Sequence, residues 1–124
     1  MKMGNNPICT SVEQAQMLIK HGISEDTSDL YYILRRNSEP RLALFSTTLP
    51  SGMLNSIPAW SLSALINLLP EFIEFNGKNY CLLMLLNRVV YWDGNTTNVY
   101  EVTEGNLIDA VVNTILWLLE KNYI

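Results

Sequence analysis

From Leu42 to Pro70 the chain carries no charged residue, although 16% of the whole chain is charged. A stretch that long without a charge has no face that prefers water, so the fold or a partner must cover it. Within it, Ile57-Pro58-Ala59-Trp60-Ser61-Leu62-Ser63-Ala64-Leu65-Ile66-Asn67-Leu68-Leu69-Pro70 reads as one helix bracketed by prolines. Pro58 suits the first turn, where a missing N–H costs nothing. Pro70 cannot continue the helix and biases Leu69 away from helical geometry. Leu62, Leu65, Ile66 and Leu69 follow helical spacing and make one apolar stripe. Trp60, Ser63, Ala64, Asn67 and Leu68 occupy the back, so this helix is expected to be covered on more than one side.

The rest of the chain supplies the cover. At 124 residues and 48% hydrophobic it has the size and composition of one folded domain, residues 1–124. Thr10-Ser11-Val12-Glu13 reads as a capping box ahead of a first helix. Gly22 and Ile23 stand where a Schellman motif would close that helix. Leu30–Leu34 and Arg41–Ser46 have strand composition, with Arg35–Pro40 as the connection. Phe72–Phe75 leads into Asn76-Gly77, a strong signal for a type I′ hairpin turn. Tyr80–Leu86 is nearly continuously apolar, which predicts a central strand covered on both faces. Asn87-Arg88 interrupts it as a bulge or tight turn. Val89–Trp92, a turn at Asp93-Gly94 and Val99–Val102 follow. A last helix starts at Asn106, with Asp109 completing its cap. The expected fold is α+β: an antiparallel sheet of about five to six strands built from hairpins, with three helices, in the order α-β-β-α-β-β-β-α.

Several function classes are disfavoured. A net charge of −4 with eight Lys and Arg is a poor basis for counterion-release binding, so nucleic acid is an unlikely partner. Arg35, Arg36, Arg41 and Arg88 remain the residues for such a contact. Cys9 and Cys81 are too few for a disulfide framework and read as reduced thiols. Residues 1–10 lack the apolar core of a signal peptide. The longest apolar run, Cys81–Leu86, is far short of the ~20 residues that span a bilayer. A cytoplasmic protein with no membrane contact is therefore expected.

Catalytic chemistry has little to stand on. Cys9 and His21 bracket one short helix, about 15 Å or more apart by helical rise, which is too far for proton transfer. Cys9 reads as a small hydrophobe and His21 as a charge partner of the helix C-terminus. Glu25, Asp26 and Asp29 lack the spacing of a calcium loop and read as a solvated acidic turn. No glycine loop for phosphate and no GxSxG is present. No catalytic, cofactor-binding or metal-binding residue is assigned, and no cofactor is expected.

The segments Cys9-Thr10-Ser11 with Glu13-Gln14, Leu18-Ile19, Gly22-Ile23, Ile57 to Leu65, Ile108-Asp109-Ala110-Val111 and Trp117-Leu118 resemble a group of small proteins. These belong to Bacteroidales-type gut bacteria, their phages and their mobile elements. The resemblance implies a small intracellular accessory protein and carries over no activity or catalytic residue.

The aromatic residues are the better lead. Trp60 and Trp117 are expected on the backs of their helices, with Asn67 and Asn113 beside them; either the two helices pack side by side with each indole filling the gap, or the indoles serve an interface, where tryptophan is enriched. The leading expectation is a non-enzymatic interaction module that binds a protein partner or a second copy of itself. The alternative is a small-ligand-binding or enzyme-like domain whose pocket, between sheet and central helix, is lined by Tyr31, Tyr91, Trp92 and Tyr100.

Overall fold

The computed structural model describes residues 7–33, 41–44 and 56–124, the strand at 41–44 by its backbone. The fold is α+β, with antiparallel strands and three helices. In order these are α1 (Val12–Lys20), β1 (Leu30–Ile33), β2 (Arg41–Leu44), β3 (Ser56–Ala59), α2 (Leu62–Ile66), β4 (Phe72–Phe75), β5 (Lys78–Met84), β6 (Arg88–Trp92), β7 (Asn98–Thr103) and α3 (Leu107–Glu120). The strands lie in two sheets. One has the order β2-β1-β3, the other β4-β5-β6-β7. The expected connection Arg35–Pro40 and most of the loop at 47–56 lie outside the described residues.

The uncharged stretch supplies the third strand of the first sheet. Its expected fourteen-residue helix is instead a strand, a junction and a short helix. Ile57, Pro58 and Ala59 pair with Tyr32, Tyr31 and Leu30. The proline is tolerated because β3 is an edge strand, where one side of the backbone has no partner to satisfy. Ser61 then caps α2, its hydroxyl accepting the Ala64 N–H at 3.2 Å. Trp60 falls at the corner between strand and helix.

That corner also moves the start of α1. The Thr10 hydroxyl accepts the Trp60 N–H at 3.1 Å, and the Thr10 N–H donates to the Trp60 carbonyl at 2.9 Å. Thr10 is thereby fully buried and unavailable as a cap. The capping box is one residue later than expected: Ser11 Oγ accepts the Gln14 N–H at 3.1 Å, and Gln14 Oε1 accepts the Ser11 N–H at 2.9 Å. The Gln14 amide also donates to Asp109 Oδ1 at 2.7 Å, tying the start of α1 to the start of α3.

The helix ends follow the sequence closely. Gly22, with φ 107°, donates to Ile19, and Ile23 donates to Leu18; this is the Schellman closure of α1. Asn122 closes α3 the same way, with φ 61° and bonds from Asn122 to Leu119 and Tyr123 to Leu118. Asn106 caps α3 by accepting the Asp109 N–H at 2.9 Å. Asn76 and Gly77 both have positive φ, as a type I′ turn demands.

The main core gathers Leu18 of α1, Trp60, Leu65 of α2, Val89 and Tyr91 of β6, and Val111, Ile115 and Leu118 of α3. A second, small cluster joins Cys9, Leu30 and Ala59, with Tyr32 against it. No described helix is long and apolar enough to cross a membrane.

Candidate functional site

The aromatic residues that the sequence singles out are inner furniture more than surface. Trp60 is fully buried, because the strand-to-helix corner points its indole into the core. Its Nε1 donates to Thr27 Oγ1 at 2.9 Å, so even the polar edge of the ring is used. Trp60 therefore lies at the junction ahead of α2 and not on the back of a helix, and its indole is internal. Trp117 is half-buried on the core side of the sheet. It stacks on Tyr100 with ring centroids 4.2 Å apart, and Tyr123 and Tyr91 lie at 5.5 and 6.5 Å. Asn67 is exposed at the end of α2. Asn113 is exposed on α3 and donates to Glu104 Oε2 at 2.7 Å.

Trp117 and Asn113 do share a feature. With Met17 of α1, His21 at its C-terminal cap, and Leu116, Leu119 and Glu120, they line a groove of about 480 Å³ between α1 and α3. Trp60 and Asn67 take no part in it.

The expected tyrosine pocket is not assembled. Tyr91 and Tyr100 are cross-strand partners on the core face. Trp92 is the next residue and points to the opposite face by strand alternation. Tyr31 belongs to the other sheet, paired with Ala43 and Pro58. Tyr91 is fully buried and donates its hydroxyl to the Pro70 carbonyl at 2.8 Å. Burial pushes its hydroxyl well above the ordinary tyrosine range, with Tyr100 adding to the shift. Tyr91 is a neutral strut. Tyr32 is similar: burial, then its 3.4 Å contact with the Cys9 thiol, raises it. Its hydroxyl donates to the Thr10 carbonyl at 2.7 Å. Cys9 is itself buried, as a small hydrophobe would be.

The acidic turn is also structural. Glu25 and Asp26 form a 3-10 turn. Asp29 accepts the Ser61 N–H at 2.8 Å and the Ser61 hydroxyl, which fixes the cap of α2. Among the described residues no three of His, Cys, Asp and Glu gather as metal ligands would. Of the arginines considered for nucleic acid, Arg88 is paired with Glu101 at 3.0 Å. Arg35 and Arg36 lie outside the described residues, and Arg41 is described by its backbone alone.

The surface the sequence reading missed is the outer face of the four-stranded sheet. Strand β5 is not covered on both sides. Tyr80 is buried and pairs with Ile73 toward the helices, while Cys81 and Leu83 point outward and are exposed. Across the strands Phe72, Cys81 and Trp92 stand in one row, and Leu83 and Val90 in the next. Phe72 is 56% exposed and Leu83 37%. Leu85 follows just beyond the strand at 41%, and Leu86 at the hairpin tip is 95% exposed. A signal for this was present. Once the Asn76-Gly77 turn fixes the register, placing Ile73 and Tyr80 inward sends Phe72, Cys81 and Leu83 outward.

No family model, no curated protein and no solved structure matches the chain.

Proposed function

We propose that this protein is a non-enzymatic, cytoplasmic interaction module that binds another protein through the outer face of its four-stranded sheet. The observation that carries the reading is the clustering of Phe72, Leu83, Leu85 and Leu86, four exposed large hydrophobic side chains, on that face and its hairpin tip. Scattered exposed leucines are ordinary, but a contiguous apolar patch on a sheet marks an interaction site. Charge on the face points to the kind of partner. Arg88 is neutralised by Glu101, which leaves the exposed Glu74 without an ion-pair partner among the described residues. The fitting partner is a protein surface with an apolar centre and a cationic rim. An origin in phages or mobile elements is part of this proposal and rests on the sequence resemblance of the segments named above.

The test is affinity capture with the full chain against the variants Leu83→Asp and Phe72→Asp. A protein held by the wild type and released by both variants supports the reading. Equal capture by all three, or none by the wild type, removes it.

A second reading, binding of a small apolar ligand, is favoured by the groove of about 480 Å³ beside Trp117. It predicts that 8-anilinonaphthalene-1-sulfonate quenches the Trp117 fluorescence in the wild type and not after Leu116→Asp.

A further inference from the structure

Two hairpin tips of the four-stranded sheet carry the same kind of dipeptide and treat it differently. Asp93-Gly94 turns between β6 and β7, and Asn76-Gly77 between β4 and β5. In both, a side-chain carbonyl carbon precedes a glycine N–H that no side chain shields. Asp93 is locked. Its Oδ1 accepts the N–H groups of Asn95, Thr96 and Thr97 at 2.9–3.0 Å, and its Oδ2 accepts from Lys78 Nζ at 2.9 Å. These bonds keep it ionised, and a carboxylate is a poor electrophile.

Asn76 is neither ionised nor held. Both Asn76 and Gly77 are exposed. Among the described residues neither the Asn76 side-chain amide nor the Gly77 N–H has a hydrogen-bond partner. An added Cβ at Gly77 would meet nothing within 4 Å, so nothing crowds the approach. Every other asparagine among the described residues is followed by Leu, Tyr, Arg, Thr or Val. The side chains of Asn87, Asn98, Asn106 and Asn113 are hydrogen-bonded as well.

We propose that Asn76 is a site of spontaneous covalent modification that releases β4. The Gly77 nitrogen attacks Asn76 Cγ and forms the new N–C bond of a succinimide ring. The Cγ–Nδ2 bond breaks, and the Gly77 proton leaves with that nitrogen as ammonia. Water then opens the ring at either carbonyl. One product is an ordinary aspartate. In the other the backbone runs through the side-chain carbon as an isoaspartyl linkage. Nothing is oxidised or reduced, and water is the one co-reactant.

The turn sets the rate. Asn76 has φ 53° and Gly77 φ 78°, and the Asn76 ψ must leave its turn value before the Gly77 nitrogen reaches Cγ. The reaction therefore goes through openings of the hairpin tip. These are local, since β4 is a four-residue edge strand held in the sheet by β5 alone among the described residues. The isoaspartyl linkage adds a carbon to the backbone of a turn that two residues close. The Phe75–Lys78 pairing is then lost, and β4 loosens with Phe72 on it. The reaction needs no partner, so it stands or falls apart from the binding face proposed above.

Peptide mapping by mass spectrometry tests it, on the full chain aged in mildly alkaline buffer beside a urea-unfolded sample. The folded chain is expected to exchange the amide for a carboxyl at Asn76 within about a thousandfold of the unfolded rate, as local opening allows. Asn79 and Asn95, exposed but followed by Tyr80 and Thr96, are expected to stay unchanged in the folded chain. Hydrogen exchange reads the consequence. The Leu82 N–H donates to the Glu71 carbonyl at 2.8 Å, so by alternation the Ile73 and Phe75 amides face β5. They are expected to exchange at least about tenfold faster in the isoaspartyl product than in Asn76→Asp, which has the same charge and the normal backbone. A folded chain that reacts more slowly than the thousandfold limit, or not at all, overturns the proposal, since the site would then open only with the whole fold. So does equal protection of Ile73 and Phe75 in the product and the variant.

Discussion

The two faces of the four-stranded sheet are made from nearly the same kinds of residue and have opposite fates. The inner face carries Ile73, Tyr80, Val89 and Tyr91, all buried beneath α2 and α3. The outer face carries Phe72, Cys81, Leu83, Val90 and Trp92, and of these Val90 alone is buried. Hydrophobic composition does not separate the faces. What separates them is that the helices pack on one side only. An apolar residue on the inner face stabilises the fold, and one on the outer face is available for binding.

Substitutions on the two faces should therefore differ by kilocalories. The largest effect is expected for Tyr91→Ala, which empties a fully buried site and removes the hydroxyl that donates to Pro70. Its cost is about 3–5 kcal/mol, read as a lower urea midpoint. A loss below about 1 kcal/mol would mean that the inner face is not the core.

Val89 and Val90 make a sharper comparison, since they are neighbours on opposite faces and both are buried, at 0% and 4% exposure. Val89→Ala opens a cavity within the main core and should cost about 2 kcal/mol. Val90→Ala should cost about half as much, because the exposed Leu83 beside it can collapse into the space. Equal losses would show that the outer face is packed as firmly as the inner one.

Smaller still are Phe72→Ser and Leu83→Ser, each expected to change stability by less than about 1 kcal/mol. Either variant losing as much as Val89→Ala would break the distinction between the faces.

The last effect is confined to acid. Asp93, its side chain 3% exposed, is held below the usual carboxylate range by its bond from Lys78 at 2.9 Å and then by the loop N–H groups. Because the folded value is depressed, this stabilisation is complete above the ordinary aspartate value of 3.8 and is lost as pH falls through the folded one. Asp93→Asn should flatten the acid limb of a thermal stability profile below about pH 4 and leave both faces of the sheet unchanged. An unaltered acid limb would show that the loop does not depend on the charge.

Local chemistry was enough wherever the structure is decided within a few residues. Gly22-Ile23 and Asn76-Gly77 set their turns because few side chains tolerate positive φ. Asn106 and Asp109 set the start of α3 because the first amides of a helix need an acceptor. The strands β4 to β7 and their hairpin order follow from the same signals. The rest depended on contacts between distant residues. Ile57-Pro58-Ala59 reads as the first turn of a helix but becomes a strand because β1 offers it an edge. Trp60 is buried because Thr10 and Thr27, far away in sequence, meet its backbone and its indole. The apolar run of β5 reads as covered on both faces, yet a run of apolar residues does not record how many layers pack against it. Sequence alone determined the fold class, the closure of α1, the start of α3 and the turns, because each turn and cap among these is a local balance of sterics and hydrogen bonds. The tertiary structure decided which apolar residues are core and which are surface, because burial depends on where the helices come to rest.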